Sequence, residues 1–352
     1  MRVQKSLLVI FGAGASYDSS SDIRPPPKGK LTKTIEDFRL PLANQLFERR
    51  DHFDDAVREY HVTPVITRLR YLKQSSLEEQ LRALQKEGEV DPIRLRQLAG
   101  IRFYLRKIIS MCEEEWIAGT RGNTNYVALV EQLRHSKQLG MVESVLLATF
   151  NYDTLLERAF APIIGKTFSK FQDYMSTESF QIFKLHGSTN WMRRVYVHAD
   201  RFPTPEDALE KLIRGAEDIE VMLGDDAYRM PFDWTSYAAG EELAYPAIAI
   251  PVEEGKTFEC LDTHRQHLEG RLPAVTHVLC IGWRGMEKHF LDLAIQRIPA
   301  QVQVLIVSGS QAGAEEICKR LADTGFRGTF HAFDGGFSQL VQSDRVETFL
   351  RQ

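Results

Sequence analysis

Short, largely apolar runs that end in glycine or a polar residue constrain this chain more than any other feature. They are Leu7 to Phe11, Val145 to Phe150, Ile182 to Leu185, Val278 to Ile281 and Val302 to Val307. A strand with one wet face alternates apolar and polar residues, whereas these runs are apolar on both parities. They therefore suit strands covered on both faces of a parallel sheet. Helical patterns separate several of them: Met286 to Arg297 leads to the last run and Ala312 to Thr324 follows it. The expected fold is α/β, a Rossmann-like parallel sheet in three layers.

Two stretches break this alternation. Residues 31–138 are long, charged and periodic at three to four residues. Val65, Leu69 and Leu72 share one helical face, as do Leu95, Leu98, Leu105, Ile108 and Cys112. They read as a helical insertion into the first crossover. Residues 193–245, rich in Asp, Glu, Pro and aromatics, read as a smaller irregular insertion over one end of the sheet, with Trp191 and Trp283 as candidate lid residues. The core is then discontinuous, formed by 1–30, 139–192 and 246–352. Pro25 to Pro27 predict a stiff turn.

Composition narrows the class. The chain has 352 residues, 43% hydrophobic and 26% charged, enough to bury a large core. Forty-four basic against 48 acidic residues give a net charge of -4, which offers no global attraction to nucleic acid or an anionic membrane. Cys112, Cys260, Cys280 and Cys318 are far apart and form no CxxC pair, as expected of a reducing cytoplasm and against a cysteine-based zinc site. Arg2 and Lys5 before Leu7 to Phe11 imitate a signal peptide, but the apolar stretch is too short. No run reaches the roughly 18 apolar residues of a membrane span. A cytoplasmic protein is expected.

Three strand ends carry the candidate chemistry. Leu7 to Phe11 run into Gly12-Ala13-Gly14-Ala15-Ser16, where bare backbone can approach a diphosphate. A tight turn without a ligand is the competing reading. The dehydrogenase fingerprint fails, because Tyr17 stands where its third glycine would be. The second run ends in Thr149-Phe150-Asn151-Tyr152-Asp153, and the third in Lys184-Leu185-His186-Gly187-Ser188. Open α/β sheets bind ligands at such carboxyl ends. Each motif also has a plain structural reading, Asn151 or Asp153 as a helix cap and His186 as a core histidine.

In order and position these motifs resemble the sirtuin family, whose members carry a GAG loop, a T-x-N-x-D strand end and a catalytic H-G. The resemblance extends to Cys280-Ile281-Gly282-Trp283 and to the strand end at Ser308-Gly309. It implies NAD as substrate. Asn151 would hold the nicotinamide ribose and position the attacking oxygen, Asp153 would line the carboxamide pocket, and His186 would act as general base. Gly12, Ala13, Gly14 and Ser16 would wrap the diphosphate, with Thr149, Gly282, Ser308 and, by a looser alignment, Arg24 as further cofactor contacts. The set suits the chemistry, since loss of nicotinamide leaves an oxocarbenium-like ribose that needs orientation and one base near neutral pH.

The zinc module of protein-deacylating sirtuins is missing. His264 and His267 have HxxH spacing without further ligands, so a solvated helix face and no metal are expected. The pattern looks like the sirtuin-like NADases of bacterial antiphage defence, which give ADP-ribose and nicotinamide and deplete the infected cell of NAD. Such enzymes need restraint, and with Gln352 following soon after the last strand no fused sensor is expected. Activation by assembly is expected, as a homo-oligomer or with a HerA-type hexameric ATPase. Two alternatives remain: a deacylase or ADP-ribosyltransferase using the same cofactor, and a non-catalytic module that binds NAD or ADP-ribose.

Overall fold

The computed structural model describes residues 5–20, 35–71, 77–176, 179–197, 205–230, 243–250 and 258–352. Arg24, Leu72 and the Pro25 to Pro27 turn lie outside them. In chain order the described strands are β1 (Ser6–Phe11), β2 (Ser144–Thr149), β3 (Phe180–Lys184), β4 (Gly187–Val197), β5 (Ile219–Val221), β6 (Tyr228–Arg229), β7 (Ala244–Ile248), β8 (His277–Ile281), β9 (Val302–Val307) and β10 (Gly328–Phe333).

The chain divides into two compact units. The first comprises Met1–Leu40, Glu113–Leu185 and Thr263–Gln352; the second comprises Pro41–Cys112 and His186–Asp262. The stretch 31–138 is thus shared between them, and its last helix, Asn125–Gln138, counts with the unit that holds the parallel sheet.

That sheet has six strands in the order β10-β9-β8-β1-β2-β3, every neighbouring pair parallel. It is the doubly wound Rossmann-like arrangement: from β1 the chain builds outward to β3, then returns to the other side of β1 at β8. The five apolar runs are its strands, within a residue or two at each end. In β1, Leu7, Leu8, Val9 and Phe11 are fully buried, and β2, β3 and β8 are buried along their length. Each such side chain contributes about 1.5–3 kcal/mol of apolar burial. The sixth strand, β10, was not legible as an apolar run, because it lies at the sheet edge and is only partly covered. Helices Leu155–Ile164, Lys288–Arg297 and Gln311–Asp323 supply crossovers.

In the second unit, the described residues of 193–245 are more regular than expected. Strand β4 pairs antiparallel with β5, β6 and β7, and Pro205–Arg214 is helical. Among the described residues no helix is long and apolar enough to cross a membrane.

Candidate active site

The ladder of the parallel sheet continues one rung past its strands. Ser308 N donates to Phe333 O, Gly282 N to Val307 O, Gly12 N to Ile281 O, Phe150 N to Phe11 O and Leu185 N to Thr149 O, all at 2.9–3.1 Å. These bonds set Ser308, Gly282, Gly12, Phe150 and Leu185 side by side along the carboxyl edge. The order reverses between β8 and β1, so the Gly282 and Gly12 loops face each other at the switch point, where sheets of this kind bind ligands.

The two loops interlock, which explains their glycines. A Cβ on Gly12 would lie 2.6 Å from Gly282 O, and one on Gly14 would lie 2.8 Å from Gly282 Cα. Gly282 has φ +59°, and its Cβ would meet Ala15 N at 2.2 Å. Packing of protein backbone by itself thus requires glycine at these positions. The amides agree: Gly12, Gly14 and Ala15 donate to Ile281, Gly282 and Gly12 carbonyls, and among the described residues only Ala13 N–H in this turn lacks a partner.

Beside the interlock lies a buried polar cluster. Asn151 Nδ2 donates to Gly12 O at 2.9 Å, Ser16 Oγ at 2.9 Å and Tyr126 OH at 3.2 Å. Gly12 O can only accept, so Nδ2 must face it, and the amide orientation follows from chemistry. The Asn151 backbone N donates to Thr149 Oγ1 at 3.0 Å, which places Thr149 as a support for the Asn151 turn. With the amide hydrogens committed, Asn151 has Oδ1 left to accept from a ligand hydroxyl.

Ser16 Oγ donates to Asp153 Oδ2 at 2.7 Å, and Leu155 N donates to Asp153 Oδ1 at 3.1 Å. Both carboxylate oxygens therefore serve protein donors, and the residue is 5% exposed. Burial, reinforced by the nearby charge of Glu113, pushes the Asp153 carboxyl up to about 6, opposed by Lys184 and the Ser16 bond. Lys184 is fully buried, pairs with Glu157 at 3.0 Å and donates to Asp153 O. Tyr174 OH donates to the same carboxylate oxygen, Glu157 Oε1, at 3.2 Å.

His186 directly follows Leu185 and belongs to the second unit, where its carbonyl accepts from Ala249 N at 3.0 Å. Gly187 has φ +81°, and a Cβ there would run into Ala247 O, so the glycine of this motif is fixed by close passage of β7.

Other expected residues take structural places. Trp191 is fully buried near Tyr228, and Trp283 stacks on Phe150 at 5.9 Å with its indole N–H on Glu287 at 2.5 Å, so neither is an open lid. His264 is not on a solvated face; it is 1% exposed, near the Phe171 and Tyr174 rings. His267 meets Gln181 at 2.8 Å. Among the described residues no three His, Cys, Asp or Glu gather as a metal site. Sequence reasoning missed Tyr126. Its residue type carries no motif, although a helix directly preceding β2 is where a crossover would reach the strand ends.

The doubly wound α/β sheet thus places an oriented asparagine beside its switch point, where sheets of this kind bind ligands. Residues 145–218 match the family model described as a SIR2-like domain, a stretch that contains Thr149, Asn151, Asp153 and His186. The match supports a sirtuin-like family, whose domains use NAD and are generally enzymatic. No curated protein matches the chain at a significant level.

Proposed function

We propose that this chain is an NAD hydrolase that cleaves the bond between nicotinamide and ribose. The observation that carries the reading is the Asn151 amide, held by Gly12 O, Ser16 and Tyr126 with Oδ1 left as an acceptor, inside the segment that matches the SIR2-like model. An acceptor fixed in this sense suits a ribose hydroxyl and holds the sugar as positive charge develops at its anomeric carbon. The other parts of the substrate run along the same edge, past Ala13, Gly282 and Ser308. Thr149 supports the Asn151 turn, and Asp153 acts through Ser16.

In the reaction, the carbon–nitrogen bond to nicotinamide breaks and its electron pair leaves with the neutral ring. A water oxygen bonds to the anomeric carbon, and its proton passes to His186 as general base and then to solvent. ADP-ribose, nicotinamide and one proton result. An aqueous acceptor is consistent with the missing deacylase zinc module. The resemblance to defence NADases adds that this activity depletes NAD in infected cells and is restrained until the chain assembles, with itself or with a HerA-type ATPase.

Product analysis tests the reading. Incubation with NAD and no peptide should yield nicotinamide and free ADP-ribose in equal amounts. ADP-ribose attached to protein would instead favour the transferase, and tight NAD binding without product, with assembly partners present, would favour the binding module.

A further inference from the structure

Tyr126, on helix Asn125–Gln138, lies 1% exposed among Phe11 and Phe337, each with ring centroid 5.3 Å from its own. Its hydroxyl is 3.0 Å from Ser16 Oγ and 3.2 Å from Asn151 Nδ2. The directions of these bonds can be deduced. Ser16 has one hydroxyl hydrogen, and it points to Asp153, whose carboxylate can only accept. Tyr126 must therefore donate to Ser16, which leaves the tyrosine oxygen to accept from Asn151. Apart from the Asn151 hydrogen held by Gly12 O, the side-chain hydrogens of the cluster run toward Asp153, and Ser16 Oγ presents lone pairs to both Asn151 and Tyr126.

We propose that Tyr126 is a positioning residue for Asn151, acting with Ser16 and Asp153 as a clamp that holds the Asn151 amide in the orientation Gly12 O selects, with Oδ1 toward the ligand. The inference rests on the hydrolase reading above, because it assigns Asn151 a ligand to face. It gives Ser16 and Asp153 a role distinct from contact with diphosphate or carboxamide. Burial and the Asp153 charge hold the Tyr126 hydroxyl well above its ordinary titration range, so it stays a donor at any working pH. Gly12 O alone would select the Nδ2 end but would hold the amide plane by one bond only. Ser16 and Tyr126 supply a second anchor.

The test uses the whole chain with 15N-labelled asparagine, the Asn151 side-chain signal being identified by its loss in Asn151→Ala. Hydrogen exchange at the Asn151 amide should be about tenfold faster in Tyr126→Phe than in the wild type, because the variant keeps the ring and removes only the hydroxyl. In the same variant, kcat for nicotinamide release should fall about tenfold while KM moves less. If Tyr126→Phe fails to fold, Ser16→Ala measured in the same way takes its place. Equal exchange rates in wild type and variant overturn the clamp. A wild-type chain that never releases nicotinamide refutes the hydrolase reading instead, and the exchange comparison still decides whether the amide is held.

Discussion

At the scale of single residues, chemistry and packing are separable. Gly282 combines φ +59° with a Cβ position 2.2 Å from Ala15 N, whereas Gly122, with φ +74°, has open space around it. Gly122→Ala should cost about 1 kcal/mol of left-handed backbone strain. Gly282→Ala should cost about 3 kcal/mol or more, because backbone cannot move aside. Urea midpoints measure both, and equal shifts would contradict the interlock. Asp153 gives a pH signature. Its carboxyl is raised from 3.8 to about 6. Below pH ~4 it is protonated whether folded or unfolded. Between ~4 and ~6 the native state binds the extra proton, so stability falls as pH rises, by about 3 kcal/mol in all from this group. Asp153→Asn should remove that part of the slope between pH 4.5 and 7; an unchanged slope would assign it to other groups.

At the scale of elements, strand ends decide the site and a buried ion pair ties two of them together. Lys184 at the end of β3 and Glu157 on helix Leu155–Ile164 meet at 3.0 Å with almost no exposure. Lys184→Met alone leaves a buried carboxylate uncompensated and should destabilise the protein by about 3–5 kcal/mol. The double variant Lys184→Met with Glu157→Leu should recover most of that loss in thermal melts. A double variant as unstable as the single one would show that the bond from Lys184 to Asp153 O matters more than the pair. The buried strands were legible because an apolar run on both faces has few other uses, as in Leu7 to Phe11. Edge strand β10 and the antiparallel strands around β4 were not, since partial exposure and a register shift between Gly187 and Met192 blur the alternation.

At the scale of the whole molecule, the doubly wound order brings residues remote in sequence to one edge. Gly12, Asn151 and Gly282 were singled out by their motifs, and the fold gathers them at the switch point. Their mutual roles were less legible. Gly12 and Gly14 stood out as a glycine loop, but their packing against Gly282 was not visible in it. The bond from Ser16 to Asp153 was likewise not visible in the T-x-N-x-D motif. Tyr126 carried no signal at all. Pattern reports which residues stand at strand ends, but which hydrogen bonds they exchange depends on neighbours that only the sheet order supplies. The central claim is that Asn151 orients the sugar for cleavage, and nicotinamide release from NAD by wild type, Asn151→Ala and His186→Ala tests it most directly. Each substitution should lower the rate about 100-fold or more while the protein remains folded. Wild-type rates in both folded variants would contradict it.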